Sequence, residues 1–494
     1  MARALANGNN SPTSVTPDLA RLRALTGGSV NAKLSLLCAL VLSAGALTLN
    51  AQPPAGGAPA QPVGEGEGGG RAPPGPIQSD RFRTQYLRLG SNDAEGLLYE
   101  PVNPGPKARI AIVYSFPGDN NFDAPPGREL ANRGYRVLMV NHHGVDESPE
   151  VYGPSISRGI QYLRGLPGVQ RVVIIGHSGG GHLMTFYQNV AEHGAAACQG
   201  PQKVYPCQGT RLQGLARPDG IILLDAALGA PHRMSSLDPA MNDKDRKRDP
   251  ALDMFLPANG YDVAAKRAKY SADFAKRFYA AQAARNARIV DRALERLHAI
   301  EQGSAQFTDD EPFVVAGMSD TPAGARLYQP DLAFAAHTKR PHTLLKADGS
   351  QPEVIVASVR PPTGMQFAAA LGTLNVMSDN STVKRFLAND AIRTGPNFAF
   401  TADDIVGIDW ESSMNSAPGN ADGITVPALV MVMSCHYLVV PGEIIFDHLA
   451  SKDKTFAAVE GAVHGFTPCR PEYGDTVKRL FDYVDGWLSK AGRF

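Results

Sequence analysis

Apolar and polar positions along the chain follow two periods. Short, near-continuous apolar runs recur at Arg109-Ile110-Ala111-Ile112-Val113-Tyr114, Tyr135-Arg136-Val137-Leu138-Met139-Val140 and Val172-Val173-Ile174-Ile175. Two more follow at Asp219-Gly220-Ile221-Ile222-Leu223-Leu224-Asp225 and Pro427-Ala428-Leu429-Val430-Met431-Val432-Met433. Runs that are apolar at successive positions, not alternate ones, are expected of strands buried on both faces of a parallel sheet. Between them the spacing changes to three and four. Ile156, Ile160 and Leu163 mark one helix face, and a helical segment is expected around residues 128–133. Val477, Leu480, Phe481, Val484 and Leu488 mark the apolar stripe of a helix over 475–488. A helix around 443–450 and a strand over Thr455-Phe456-Ala457-Ala458-Val459 complete the C-terminal part. Strands alternating with helices predict an α/β architecture, a mostly parallel sheet with helices on both faces. Ahead of it, Tyr86-Leu87-Arg88-Leu89 and Gly96-Leu97-Leu98-Tyr99-Glu100-Pro101 read as a hairpin.

The alternation is interrupted between residues 231 and 423. Residues 262–302 are rich in Ala, Arg and Lys, with Phe274, Phe278, Ile289, Leu294 and Leu297 as anchors, and predict one or two long amphipathic helices. Glu353-Val354-Ile355-Val356 is strand-like. The chain therefore divides into a core, 81–230 and 424–494, and an insertion, 231–423. That insertion lies between two strand ends on the side where such sheets bind ligands, so it is expected to cover the site as a cap. Its large apolar residues, Phe274, Phe278, Tyr279, Phe307, Phe313, Trp410 and Met414, are expected to build the cap's own core more than a pocket.

The N-terminal region changes the picture of where the protein works. A basic residue, Lys33, precedes a short apolar run to Leu49, with Asn50-Ala51 behind it. Residues 1–51 read as a secretory signal peptide with an extended basic-side region, and an uncleaved anchor is the alternative. Residues 52–80 are dominated by Pro, Gly and Ala and read as a disordered linker. Lys plus Arg and Asp plus Glu number 48 each, so no net charge argues for nucleic acid as a partner. A membrane enters only through an uncleaved N-terminal segment. The mixed-sign run Lys244-Asp245-Arg246-Lys247-Arg248 reads as a solvated surface. Beyond the apolar run stand Cys198, Cys207, Cys435 and Cys469. An even number in an exported chain suggests two disulfides, Cys198 with Cys207 across a short loop and Cys435 with Cys469 by elimination. Four buried thiols are the alternative.

The candidate chemistry lies at strand ends. Val172-Val173-Ile174-Ile175 runs into Gly176-His177-Ser178-Gly179-Gly180, and a helix-compatible segment follows. Strand, G-x-S-x-G and helix in that order are the context of a nucleophile elbow. Glycines two residues either side of Ser178 allow so sharp a turn, and the helix N-terminus beyond favours developing negative charge. A serine hydroxyl needs a base. His464, in Gly461-Ala462-Val463-His464-Gly465-Phe466 beyond the last strand, is the last of twelve histidines and stands where the order serine, acid, histidine puts it.

On the Gly176–Gly180 elbow, the loop around His464 and the order of strands between them, the chain resembles the α/β-hydrolase superfamily over residues 85–230 and 424–490. The resemblance implies the α/β-hydrolase fold, here with a large cap insertion. It also implies an oxyanion hole from the backbone N–H groups of Phe116 and Gly179, although Tyr114-Ser115 replaces the family's usual His-Gly. The family's acid follows the penultimate strand, where this chain reads Met433-Ser434-Cys435-His436-Tyr437, with His436 in the acid's place. Three carboxylates remain open: Asp225 at the end of the preceding strand, Glu443 in the first turn of the following helix, and Glu460. His142-His143, His177 and His182, with Asp146 and Glu147, follow no ligand-spacing rule and read as pocket or loop residues, so neither a metal nor a cofactor is expected. The expectation is an exported serine hydrolase of carboxylic esters on a small-molecule substrate. An amide, lactone or C–C bond hydrolase, or a non-catalytic binding protein on the same fold, are the alternatives.

Overall fold

The computed structural model describes residues 79–90, 94–118, 120–142, 148–318, 324–363 and 378–494. The predicted signal segment, the linker up to residue 78, and His143, Asp146 and Glu147 lie outside them. The described chain opens with an antiparallel hairpin, β1 (Phe82–Arg88) and β2 (Ala94–Pro101). There follow β3 (Ile110–Ser115), α1 (Pro125–Asn132), β4 (Arg136–His142), α2 (Pro149–Arg164), β5 (Arg171–Ser178), α3 (Gly179–His193), β6 (Gly220–Ala226) and α4 (Ala230–Met234). The insertion holds two short strands, β7 (Tyr261–Asp262) and β8 (Arg267–Ala268), the long α5 (Ala272–Glu301), β9 (Pro312–Ala316), β10 (His337–Leu345) and β11 (Glu353–Ala357). It continues with β12 (Ser378–Thr382), α6 (Val383–Asn389), β13 (Arg393–Phe400), β14 (Ile405–Asp409) and α7 (Ala417–Ala421). The chain closes with β15 (Ala428–Met433), α8 (Val439–His448), β16 (Lys454–Val459) and α9 (Thr476–Leu488).

Ten strands form the main sheet in the order β1-β2-β4-β3-β5-β6-β15-β16-β10-β11. From β4 to β10 every neighbour runs parallel, and the antiparallel pairs sit at the two edges. The runs that looked uniformly apolar sort onto two faces by the strand period of two. Ala111, Val113, Val172, Ile174, Ile221, Leu223, Val430 and Val432 pack with α2, α3 and α8 on one face. Ile112, Tyr114, Val173, Ile175, Ile222, Leu224, Met431 and Met433 pack with α1 and α9 on the other. Each fully buried aliphatic side chain in these layers contributes roughly 1.5–3 kcal/mol.

The insertion departs from a simple cap. Its β10–β11 hairpin joins the main sheet beyond β16, where an uncovered strand edge would otherwise remain. The helix expected within 262–302 is single, and starts at Ala272 because Ser271 caps it, its hydroxyl accepting from the Phe274 amide at 3.2 Å. Phe274, Phe278 and Tyr279 are buried in the larger core with Phe398 and Phe400, and Phe313 packs in a separate cap cluster with Phe386. Met414 is buried under α3, whereas Phe307 is exposed.

Candidate active site

The C-terminal ends of β3, β5, β6, β15 and β16 lie along one edge of the sheet, and the predicted site residues come from the segments that leave them. Ser178 ends β5 and precedes the first residue of α3, with φ 54° and ψ −126°. A non-glycine residue with positive φ is strained and is held there by its surroundings. Those surroundings leave no space for a side chain at the neighbouring glycines. A Cβ on Gly176 would lie 2.3 Å from the Gly180 carbonyl oxygen, and one on Gly181 2.3 Å from the Ala226 Cβ. The turn is therefore set by close approach of β5, α3 and β6, and it brings Ser178 to a cavity of about 330 Å³. Phe116, Gly179 and His464 border the same cavity. Gly179 opens α3, where the first-turn N–H groups have no acceptor within the helix.

His464 follows β16 and is held from both sides. Its Nδ1 is hydrogen bonded to Asp225 Oδ2 at 2.7 Å. On the other side the His177 Nε2 lies 2.9 Å from the His464 carbonyl oxygen, with the two rings tilted by 33° and their centroids 4.7 Å apart. Burial, reinforced by the neighbouring His464, pushes His177 down to about 3, so its ring is neutral near pH 7 and its Nε2–H donates. Burial likewise pushes His182, at the cavity wall, down to about 4.

Asp225 is fully buried and adopts φ 43° at the end of β6. Its Oδ1 accepts from the Met433 amide at 3.1 Å. Its Oδ2 lies 2.7 Å from two imidazole nitrogens, the aligned Nδ1 of His464 and the less well aligned Nδ1 of His436. Burial alone would raise this carboxyl, but the charge and N–H groups of His436 and His464 outweigh it and hold Asp225 well below the usual carboxylate range. His436 stands at the turn after β15, where the family resemblance puts the acid. The carboxylate reaches the same place from β6, the parallel neighbour of β15. The rings of His177, His464 and His436 lie in a row at tilted angles, with centroids 4.7 and 4.5 Å apart.

Glu443 does not belong to this group. α8 begins at Val439, so Glu443 sits in its second turn and points to the sheet edge. Its carboxylate accepts from the Lys339 amide at 2.6 Å and the Arg340 amide at 3.1 Å, and lies 2.7 Å from His342 Nε2. The β10–β11 register shifts between His337 and Pro341, and Glu443 satisfies two amides there. Burial would raise its pKa, yet His342 and the two amides bring it below the ordinary value. Glu460 is likewise elsewhere, accepting from the Ala347 amide at 3.0 Å.

Both disulfides are formed as paired from the sequence, Cys198–Cys207 and Cys435–Cys469. The second ties the turn of His436 to the loop of His464, and Cys435 N to Ala462 O at 2.9 Å and Gly461 N to Ser434 Oγ at 2.8 Å reinforce that tie. Among the described histidines expected to line loops, His142 is engaged with Ser155 Oγ at 2.9 Å. Asp225, His436 and His464 are the described residues whose spacing could suit a metal. Their 2.7 Å N···O separations are those of hydrogen-bonded groups; ligands about 2 Å from a tetrahedral zinc stand roughly 3.3 Å apart.

The far wall of the cavity comes from the insertion, and the polar residues that build it were not foreseen. Arg233 on α4, Arg385 and Asn389 on α6, Ser381, Asp390 and Asn415 all border it. Short polar helices in a long insertion carry no local signal that they face a serine on another element.

No family model matches the chain, and no curated protein matches it in sequence. Among solved structures it is similar to the hypothetical protein PA2218 from Pseudomonas aeruginosa, at 12% identity over 84% of this chain and 95% of that one, with a TM-score of 0.38. It is similar to Est1E from Butyrivibrio proteoclasticus at 10% identity, 82% and 97% coverage, and a TM-score of 0.34. A carboxyl esterase 2 from the fungus Tuber melanosporum gives 12%, 84%, 88% and 0.37. The order of strands and the elbow between β5 and α3 are those of the α/β-hydrolase fold.

Proposed function

We propose that the protein is an exported serine hydrolase that cleaves carboxylic esters, with Ser178 as nucleophile, His464 as base and Asp225 as acid. The observation that carries this reading is the bond from His464 Nδ1 to a buried carboxylate, with Ser178 and His464 on one cavity. With Nδ1 committed to Asp225, the free nitrogen of His464 is Nε2, the atom that takes a serine proton in this chemistry. Ser178 Oγ attacks the ester carbonyl as His464 accepts its proton. The tetrahedral oxyanion is held by the N–H groups of Phe116 and Gly179, at the positive end of α3. His464 then protonates the leaving alcohol, and water, activated in the same way, releases the acid. The depressed pKa of Asp225 keeps it anionic throughout, so it stabilises the imidazolium without taking the proton. Asp225 beside His464 also weakens the one sequence feature that favoured a non-catalytic protein, the histidine in the acid's usual place.

Two disulfides suit an oxidising compartment. Together with the apolar segment before residue 51, they support export. A fluorophosphonate probe tests the enzyme reading directly: Ser178 labels in the wild type, Ser178→Ala does not, and hydrolysis of a p-nitrophenyl ester disappears with the label. An unlabelled Ser178 in folded protein would sink the proposal.

A further inference from the structure

Donors dominate the wall facing Ser178, where Asn415 Oδ1 is the one buried side-chain acceptor without a partner among the described residues. Arg385 and Asn389 are four residues apart on α6 and so share a face, and Ser381 immediately precedes the residue that caps this helix. Asn389 Nδ2 and Ser381 Oγ are buried polar atoms with no hydrogen-bond partner among the described residues. Arg233 adds a second guanidinium and also binds Asp390, Nε to Oδ1 at 3.0 Å. That ion pair offsets the one carboxylate of the described residues bordering the cavity.

A buried donor loses its hydrogen bonds to water and is left at a cost when nothing accepts from it. An alkyl chain placed against this wall would leave Asn389 Nδ2 and Ser381 Oγ dry. A carboxylate is acceptor-only and offers about four lone-pair sites, and guanidinium groups match its geometry. The volume, about 330 Å³, lies at the small end of ligand cavities, which run from roughly 300 to 1,000 Å³.

We infer that the preferred substrates are small anionic esters, which carry a free carboxylate on the acyl or the alcohol side and seat it against Ser381, Arg385 and Asn389, with Arg233 beside them. The inference rests on the Ser178 reading for the ester and on the insertion wall for the charge.

The test compares kcat/KM for matched pairs, using the whole mature chain and titration of the released acid. Monomethyl glutarate against methyl valerate places the charge on the acyl side. The valerate ester of 3-hydroxybenzoate against phenyl valerate places it on the alcohol side. The expected result is a preference for the anionic member of at least one pair, and a fall of that preference by about tenfold or more in Arg385→Gln. Preference for the neutral member in both pairs, or a smaller fall, overturns the inference. Isothermal titration of each anionic ester, monomethyl glutarate and the valerate ester of 3-hydroxybenzoate, into Ser178→Ala separates the two readings. Binding of at least one that is lost in Ser178→Ala/Arg385→Gln supports the anion-binding wall even where Ser178 fails to label, and absence of binding by both overturns it whether or not Ser178 reacts. Asn389→Ala, expected to lower the same preference, serves in place of Arg385→Gln if that variant does not fold.

Discussion

Asp225→Asn removes a charge and almost no volume. The left-handed backbone at φ 43° accommodates Asn as readily as Asp, so the turn after β6 should survive. Met433 N–H then faces an amide, as do the imidazoles of His464 and His436. An amide accepts on one oxygen only. If the oxygen stays on the Met433 amide, the NH2 group faces His464 and selects the tautomer protonated on Nε2. That tautomer cannot take the serine proton. The corresponding change in Ser-His-Asp enzymes lowers kcat by about 10⁴, and at about 1.36 kcal/mol per decade this is roughly 5.5 kcal/mol of barrier. The assay is kcat and KM on a short p-nitrophenyl ester, with a melting curve to show that the variant is folded. The drop should fall on kcat, with KM little changed. A folded Asp225→Asn protein that keeps more than about a tenth of wild-type turnover refutes the assignment of Asp225 as the acid.

Glu443→Gln should leave the kcat of the folded protein near wild type while lowering the melting temperature, because it weakens the clamp on Lys339 and Arg340 without touching His464; a large loss of kcat with no loss of stability would reverse the roles given to the two acids. Removing the Cys435–Cys469 bridge by a double change to Ala should cost roughly 4 kcal/mol in denaturant unfolding, from the chain entropy of a loop closed over a separation of 34 residues. It should also reduce kcat, because the bridge joins the turn of His436 to the loop of His464. Gly181→Ala drives a Cβ into Ala226, so it should abolish fluorophosphonate labelling or soluble expression. Acid should destabilise the fold in two stages. His177 and His182 have folded pKa values below the ordinary 6.5, so the unfolded chain binds more protons beneath that value. Stability is full above about pH 6.5 and falls by up to about 1.4 kcal/mol per pH unit for each histidine as pH drops toward their folded values. Asp225 and Glu443 have lowered pKa values, so their contributions hold above the ordinary carboxylate range and are lost only below it, as pH falls through the folded values. Equal urea midpoints at pH 7 and pH 5 would contradict the histidine part.

The strands and the elbow could be read from the chain because their causes are local. Val172 to Ile175 are apolar at every position since both faces of β5 are covered, and Gly176, Gly180 and Gly181 are small since backbone and side chains approach within contact distance there. His464 was legible for a related reason: it lies in the loop leaving the last strand, and that position follows from the strand order. Helix starts were less legible. Val439, Val440 and Pro441 precede Glu443 without an N-cap side chain, and α8 nevertheless begins at Val439, because burial against β15 outweighs the missing cap. One turn of extra helix carried Glu443 from the expected first turn into the second, facing the bulge of β10.

The carboxylate beside His464 and the anion-binding wall belonged to another order of cause. Asp225 and His436 are far apart in sequence and adjacent in space because β6 and β15 are parallel neighbours, with an insertion passed between them. Nothing local to Leu224-Asp225-Ala226 says which loop will lie beside it. The same holds for Arg385 and Asn389, which meet the cavity only once the insertion has folded over the sheet. The sequence by itself determined the sheet, the strained serine and the histidine, because periodicity and glycine spacing are short-range properties of the chain. Tertiary structure alone decided which carboxylate bonds that histidine and which charges face the serine, because both depend on contacts between segments that the chain brings together only on folding.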